Sequence, residues 1–252
     1  MAVLFLTFGI ILLITSVSLS SQTIAFVGLG LTFWGTFFLL VAPEKQVEGS
    51  FLVISTLPAY MTIDRMLKDF KPKNEVYCIP SYTRAIDLPE YIKGLKQTVT
   101  FIPEENATGM AAIEDIAKGK LQIRNPKGFL VTPPGLYILD IIEQNSHTDL
   151  TKIPFYELVE KLPDWFDGLY LAKEIKLYTN ENYITIEIND SLFKNLYSQK
   201  YNLQSVNLVG CPLVSAAACA IAKSTGKPII IQEIKTTPDG KITTAILKFV
   251  QS

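Results

Sequence analysis

The sequence predicts an N-terminal α-helical transmembrane hairpin followed by a soluble α+β domain, in which an antiparallel sheet packs on helices. Two observations lead to this fold class. Residues 1–43 contain no Asp, Glu, Lys, Arg or His, so all 23 basic and 24 acidic residues lie behind them. From residue 44 onward, short apolar runs typical of strands alternate with segments at helical spacing, as in an ordinary α+β domain.

The uncharged segment consists of two apolar runs, residues 2–18 and 23–42, separated by Ser20-Ser21-Gln22. A bilayer core about 30 Å thick needs roughly 20 apolar residues per helix, and each run comes close to that length. A cleaved signal peptide over residues 1–21 is one alternative, although such a peptide normally opens with Lys or Arg. Two buried soluble helices are another, although uncharged runs of this length are untypical of soluble cores.

The second apolar run carries small residues on one face, namely Gly28, Thr32, Gly35 and Thr36. Small side chains let a second helix approach closely within a membrane. We expect this packing face to contact the first run. Contact with another molecule is the alternative, which would make a homodimer or a subunit of a membrane complex the partner.

The orientation of the hairpin follows from the basic residues that flank it, because basic loops stay on the cytoplasmic side. The short connection has none, whereas Lys45 follows the second run closely and Arg65 and Lys68 come later. The sequence therefore predicts a two-pass protein of the cell membrane, with the bilayer as its first partner and a cytoplasmic soluble domain.

Composition argues against several classes of function. A net charge of −1 gives no basic field for nucleic acid. The three cysteines, Cys78, Cys211 and Cys219, are an odd number without CxxC spacing, which argues against a disulfide framework and a structural zinc site. We expect reduced thiols. The single histidine, His147, lies in a polar run and cannot build a multi-histidine metal centre, so we predict no metal site and, without a nucleotide motif, no cofactor.

Two regions follow the hairpin. Residues 44–131 are predicted to hold a juxtamembrane helix that begins at Leu57-Pro58, followed by short strands and a short helix. Residues 132–252 are predicted to form an α+β domain. Its second part, from residue 174, reads strand, strand, helix, helix, strand, strand, with a polar turn near Asn180 and a hairpin turn at Pro238-Asp239-Gly240. We expect the helix at 213–224 to be buried against a four-stranded antiparallel sheet. The predicted segments are strands at 75–79, 98–102, 174–178, 183–188, 229–235 and 241–250, extended pieces at 120–124 and 128–131, helices at 111–117, 136–145, 155–162, 192–199 and 213–224, and a short turn or helix at 164–171.

This element order, with the sequences YITIEINDSLF and GCPLVSAAACAIAKSTGKPIIIQEIK, resembles the 4-vinyl-reductase-like domain and its relatives in the TRAPP trafficking complex. The resemblance covers residues 135–250. It implies helices packed on an antiparallel sheet around a pocket for a small apolar ligand, or around a dimerisation surface. Gly210, Cys211, Gly226 and Lys227-Pro228 stand where the family has its glycine-started helix and the following strand. The last hairpin lacks the cysteines that many members carry there.

Cys211 is the one residue with a physical argument for reactivity, since a thiol at a helix N-terminus meets the positive end of the helix dipole. Nucleophilic catalysis also needs a nearby base, and no motif relates His147 to Cys211. We therefore expect a membrane-tethered module for small-molecule binding, sensing or scaffolding, without catalysis. A thiol enzyme or redox sensor centred on Cys211 and a structural accessory subunit of a membrane complex are the alternatives.

Overall fold

A computed structural model describes residues 2–40, 49–68, 70–81, 97–180 and 182–250 of the chain. Lys45 and residues 82–96, for which the sequence predicts no defined helix or strand, lie outside the described residues. The chain divides between Glu48 and Gly49 into two compact units.

The first unit contains two helices, α1 (Ala2–Leu19) and α2 (Gln22–Leu40), joined by a tight connection in which Ser20 adopts a positive φ of 45°. They pack side by side as an antiparallel hairpin. At 1.5 Å per residue each helix is about 28 Å long, close to the thickness of a bilayer core. Most large side chains of the pair point away from the other helix, so the outer surface is apolar.

The second unit is an α+β fold, and its two sides are described below. Its α-helices are α3 (Gly49–Leu67), α4 (Ile113–Ala117), α5 (Leu136–Ser146), α6 (Phe155–Asp167), α7 (Gln204–Val209) and α8 (Pro212–Thr225), with 3-10 turns at Leu150–Lys152 and Lys194–Tyr197. Its strands are β1 (Val76–Ile79), β2 (Val99–Pro103), β3 (Gln122–Arg124), β4 (Lys127–Val131), β5 (Glu174–Thr179), β6 (Tyr183–Asn189), β7 (Ile229–Thr236) and β8 (Ile242–Phe249).

The described strands form one eight-stranded antiparallel sheet in the order β3-β4-β2-β1-β7-β8-β6-β5. The predicted α+β class with an antiparallel sheet on helices is confirmed. The sheet is twice as wide as the four strands expected from residues 174–250, because β1 pairs with β7, where Cys78 lies opposite Ile229. All four residues of β1 are buried, as expected for a central strand covered on both faces. The regions 44–131 and 132–252 therefore share one sheet.

Helix α8 lies at the centre of the main core, which covers one face of the sheet. Every residue from Pro212 to Ala222 is buried. Many side chains of this helix are small (Ala, Ser and Cys), so α5, α6, β1 and β7 can approach it closely. Gly226 ends the helix in the left-handed conformation with φ 65°, which glycine adopts without strain. The predicted buried helix is confirmed.

A smaller cluster lies on the other face of the sheet, near the β3 edge. It includes Tyr77, Phe101, Ile123 and Leu130, packed with residues of α4 such as Ile116. Along β1, Tyr77 belongs to this cluster and its neighbour Cys78 to the main core, as strand alternation requires. This half of the sheet is thus covered on both faces.

Two helices continue through a proline at which the sequence suggested a boundary. Helix α3 begins at Gly49 and includes Pro58, and α6 runs through Pro163 to Asp167. Proline within a helix costs about 3 kcal/mol. In α6 the buried Leu162 and Phe166 flank the proline, and their packing offsets this cost.

The segment between β6 and α8 also differs from the prediction. The helix expected at 192–199 is a single 3-10 turn, although Ser191 does accept the N–H of Phe193 at 3.0 Å through its Oγ. The six-residue helix α7, which the sequence did not indicate, follows it. Its first turn is held by a residue far away in the chain, as described below.

Candidate functional site

The junction between α7 and α8 contains Cys211, the residue singled out by the sequence. Gly210 precedes it with φ 79° and ψ 165°. A Cβ at this position would lie 2.6 Å from Cγ1 of Val214, so the turn into α8 requires glycine both for its backbone angles and for space. The backbone N–H of Cys211 donates to the hydroxyl of Tyr197 at 3.0 Å.

The thiol of Cys211 is fully buried, with 0% of the residue exposed. Burial raises the pKa of this thiol above its ordinary value, and this effect outweighs the lowering influence of the backbone N–H groups at the start of α8. His147, the single imidazole of the chain, caps the end of α5 and is exposed. An exposed imidazole does not reach a buried thiol, so the two residues form no nucleophile–base pair.

Helix α3 holds this junction in place through two polar residues. The hydroxyl of Tyr60, whose side chain is fully buried, donates to the carbonyl of Gly210 at 2.7 Å. Asp64, one turn later, accepts the backbone N–H groups of Ser205 at 2.7 Å and Gln204 at 3.1 Å. A carboxylate there satisfies N–H groups that a helix start leaves without partners. Residues about 140 positions apart therefore fix the orientation of α7.

Helix α7 forms one wall of an open cleft of about 390 Å³ beside the junction. Strand β7 forms the opposite wall. The cleft is distinguished by four side-chain amides, and Glu233 adds a carboxylate. The lining residues are Asn74, Gln204, Asn207, Leu208, Gln232, Glu233 and Ile234.

The wall of this amide cleft that β7 forms contains a β-bulge at Gln232. In the pairing of β7 with β8, Ile231 lies opposite Leu247 and Glu233 opposite Ile246, which leaves Gln232 as the extra residue. Its Oε1 atom is buried and has no hydrogen-bond partner among the residues that the structure describes. A buried acceptor without a donor is unfavourable by about 1–3 kcal/mol.

The lining of the amide cleft differs from that of a larger cleft near the turn between β7 and β8. That cleft, of about 680 Å³, is lined by residues such as Lys173, Asp190 and Asp239. Asp190 is already paired with Lys194 at 2.6 Å. Glu233 in the first cleft is likewise paired, with Lys235 at 2.9 Å. The first cleft is the better candidate for ligand binding because four of its lining residues are uncharged amides, which offer both donors and acceptors.

The packing face predicted in α2 is used within the hairpin. A Cβ on Gly28 would lie 3.0 Å from Leu13, and one on Gly35 would lie 2.8 Å from the backbone N of Leu6. The side chain of Thr32 lies against Gly9, since a Cβ there would come within 2.6 Å of its methyl group. Thr36 is exposed and donates to the carbonyl of Thr32 at 2.9 Å, so it lies beside the face rather than on it.

Among the described residues, no group of three or more His, Cys, Asp or Glu side chains is close enough to hold a metal ion. Sequence reasoning missed the amide cleft. Asn74, Asn207 and Gln232 come from three distant segments, and an amide side chain carries no motif that marks it as functional.

Known proteins offer no relative from which a function could be inferred, so the functional argument rests on the geometry described above. No model of a known family, no curated protein and no solved structure matches the chain.

Proposed function

We propose that this chain is a membrane-anchored binding module without catalytic activity, held in the bilayer by α1 and α2 and binding its ligand in the amide cleft. The observation that carries the anchoring is the outer surface of the hairpin. Eighteen large apolar side chains between Val3 and Leu40 are exposed, and the two helices contain no charged residue. Water disfavours an apolar surface of this extent, whereas the acyl chains of a bilayer accommodate it.

Burial distinguishes this hairpin from other apolar parts of the chain. The segment Gln204–Thr225 is as apolar as α2, with a mean hydropathy of 1.8 for both. However, 94% of that segment is buried within the fold, compared with 11% of α2. The apolar character of Gln204–Thr225 is therefore explained by its place in the protein core, whereas the exposed apolar surface of α2 favours a lipid environment.

The ligand that suits the amide cleft is a small uncharged molecule bearing hydroxyl or amide groups. Each Asn or Gln offers two N–H donors and one carbonyl acceptor, which together match such groups in both senses. Gln232 at the bulge is one of the four amides that line the cleft. The lining favours this chemistry over the apolar ligand that the resemblance to 4-vinyl-reductase-like domains implies, and the binding role itself agrees with that resemblance.

The alternatives make different demands on the same structure. A thiol enzyme would need an accessible Cys211 with a lowered pKa, whereas burial raises the pKa of this thiol. An accessory subunit of a membrane complex needs no ligand at all. We therefore expect ligand retention to separate binding from purely structural assembly.

Replacing Asn207 and Gln232 together with leucine is expected to abolish retention of the small molecule by the full chain purified in mild detergent. Leucine has a similar volume but cannot form hydrogen bonds, so the cleft keeps its shape and loses its polar contacts. Native mass spectrometry measures the retained mass. Gln144→Leu, which changes an exposed amide on α5, is the control and should retain the ligand like the wild type. Equal retention in the double variant, or none in the wild type, would contradict the proposed site.

We also propose that the α+β unit faces the cytosol, since the connection at Ser20-Ser21 carries no basic charge and Lys45 follows the hairpin. On intact cells, a membrane-impermeant maleimide is expected to label Ser21→Cys and not Lys120→Cys. Both variants should be labelled after permeabilisation, because Lys120 is exposed on its unit. The three native cysteines are buried and should give a low background. The reverse pattern of labelling would overturn the orientation.

A further inference from the structure

The core holds two thiols that no sequence pattern associates with each other. Cys78 on β1 and Cys219 on α8 are separated by 141 positions, and their Sγ atoms lie 3.2 Å apart. Both residues are buried, with 1% and 0% of their surface exposed. Their neighbours in the main core are apolar. Among the described residues, the contact between the two thiols is the only polar contact of either sulfur.

The distance between the two sulfurs is short enough for a disulfide to form after a small movement. A disulfide bond joins sulfur atoms at about 2.05 Å, so the two atoms need to approach by about 1 Å. Strand β1 and helix α8 pack directly against each other, and the small side chains of α8 leave the sulfurs facing one another. A fold that holds two thiols at this distance gives them a high effective concentration, which favours their oxidised form.

We propose that Cys78 and Cys219 form a disulfide bond that links the central strand of the sheet to the central helix of the core. The bond replaces two S–H bonds with one S–S bond and releases two protons and two electrons. A small-molecule or protein disulfide is the oxidant. The thiolate of one cysteine attacks it to give a mixed disulfide, the second cysteine displaces the carrier, and the carrier leaves as two thiols.

The burial of both sulfurs places this reaction at a definite stage. In the folded protein, burial and the neighbouring thiol raise the pKa of Cys78, so little attacking thiolate is present. The exchange therefore proceeds while the chain folds or during openings of the core. The cytosol, where we place this unit, keeps accessible thiols reduced. Once formed, the bond is shielded from those reductants by the same burial. In the structure all three cysteines are free, as expected from the sequence. The proposed bond would leave Cys211 as the free thiol.

The cross-link joins the two halves of the α+β unit. Strand β1 belongs to the part of the chain before residue 132, and α8 belongs to the part after it. A bond that closes a loop of this length restricts the unfolded chain strongly. We therefore expect the oxidised protein to melt about 5–10 °C above the reduced one.

The test uses the full chain in mild detergent, equilibrated with oxidised and reduced glutathione, both directly and after brief exposure to denaturant. After acid quenching, free thiols are alkylated with N-ethylmaleimide under denaturing conditions and the peptides are identified by mass spectrometry. We expect one alkylated residue, Cys211, and a linked pair of peptides that contain Cys78 and Cys219. Cys211→Ala should keep the linked pair and its higher melting temperature.

The single variants Cys78→Ala and Cys219→Ala supply the matched controls. Neither should form the linked peptide, and their melting temperatures should not respond to glutathione. Three alkylated cysteines in the wild type after both treatments, or a linked peptide that contains Cys211, would overturn the proposal. These outcomes do not depend on ligand retention, so they are separate from the test of the amide cleft.

Discussion

Replacing Gly135 with alanine is expected to destabilise the α+β unit by about 3 kcal/mol or more, among the largest effects of any single methyl group added to this chain. A Cβ at this position would lie 2.2 Å from both the backbone N of Ala216 and the carbonyl O of Pro212. Both atoms belong to the backbone of α8, so no side-chain rotation can relieve the contact. The helix itself would have to move within a close-packed core.

The reason for this close approach lies in the hydrogen bonding at the start of α5. The N–H of Gly135 donates to Oγ of Ser215 at 3.2 Å, which draws the loop onto the first turn of α8. Displacing α8 to admit a methyl group would break this bond and leave buried polar groups without partners. The expected loss of stability therefore combines overpacking with an unsatisfied donor.

The matched control is Gly168→Ala at the end of α6. Gly168 has a right-handed helical backbone with φ −61°, and the nearest atom to an added Cβ lies 3.5 Å away. The free energy of unfolding of this variant should lie within about 0.5 kcal/mol of the wild-type value. Circular dichroism of the full chain in detergent, followed during urea or thermal unfolding, measures both. Equal unfolding midpoints for the two variants would mean that α5 and α8 do not pack as described.

Elements whose pattern is local could be predicted from the sequence. Helix α8 begins at Pro212 and ends before Gly226. Proline favours the first turn of a helix and glycine its end, so both signals can be read from neighbouring residues alone. The hairpin of β7 and β8 turns at Gly240, which has the positive φ of 71° that such a turn requires. Local signals of this kind need no knowledge of the rest of the fold.

Elements that depend on distant contacts were missed or misjudged. The start of α7 is held by Asp64, and β1 finds its partner in β7, so neither arrangement has a signal nearby in the sequence. The proline rule failed at Pro163 for a related reason. The packing of α6 against the core stabilises the helix across the proline. Local helix propensity does not include this packing, so the sequence does not reveal it.

The candidate sites were even less predictable than the fold. Cys211 drew attention because it stands at a helix start, but the dielectric environment that raises its pKa is a property of the folded core. The cysteines that lie together are Cys78 and Cys219, and a separation of 141 positions hides that pairing from any spacing rule. Similarly, the amide cleft combines residues of α7 with the bulged part of β7, which only the fold brings together.

Deleting residues 2–48 is expected to move the protein almost completely from the membrane fraction to the soluble fraction. The deletion removes both helices of the hairpin, with the eighteen exposed apolar side chains that we propose to face lipid. The remaining chain is compact by itself, since the division between the two units falls before Gly49. We therefore expect it to stay folded, with a cooperative unfolding transition and the same linked cysteine peptides.

The measurement compares pellet and supernatant after ultracentrifugation, before and after an alkaline carbonate wash that removes peripheral proteins. The full chain should stay in the pellet throughout, because two spanning helices insert almost irreversibly. A truncated chain that stays in the pellet would place the anchor in the second unit, where Phe51, Ile54 and Met61 of α3 are exposed. A full chain that is soluble and lacks its N-terminal residues on sequencing would instead support the signal-peptide alternative and contradict the hairpin anchor.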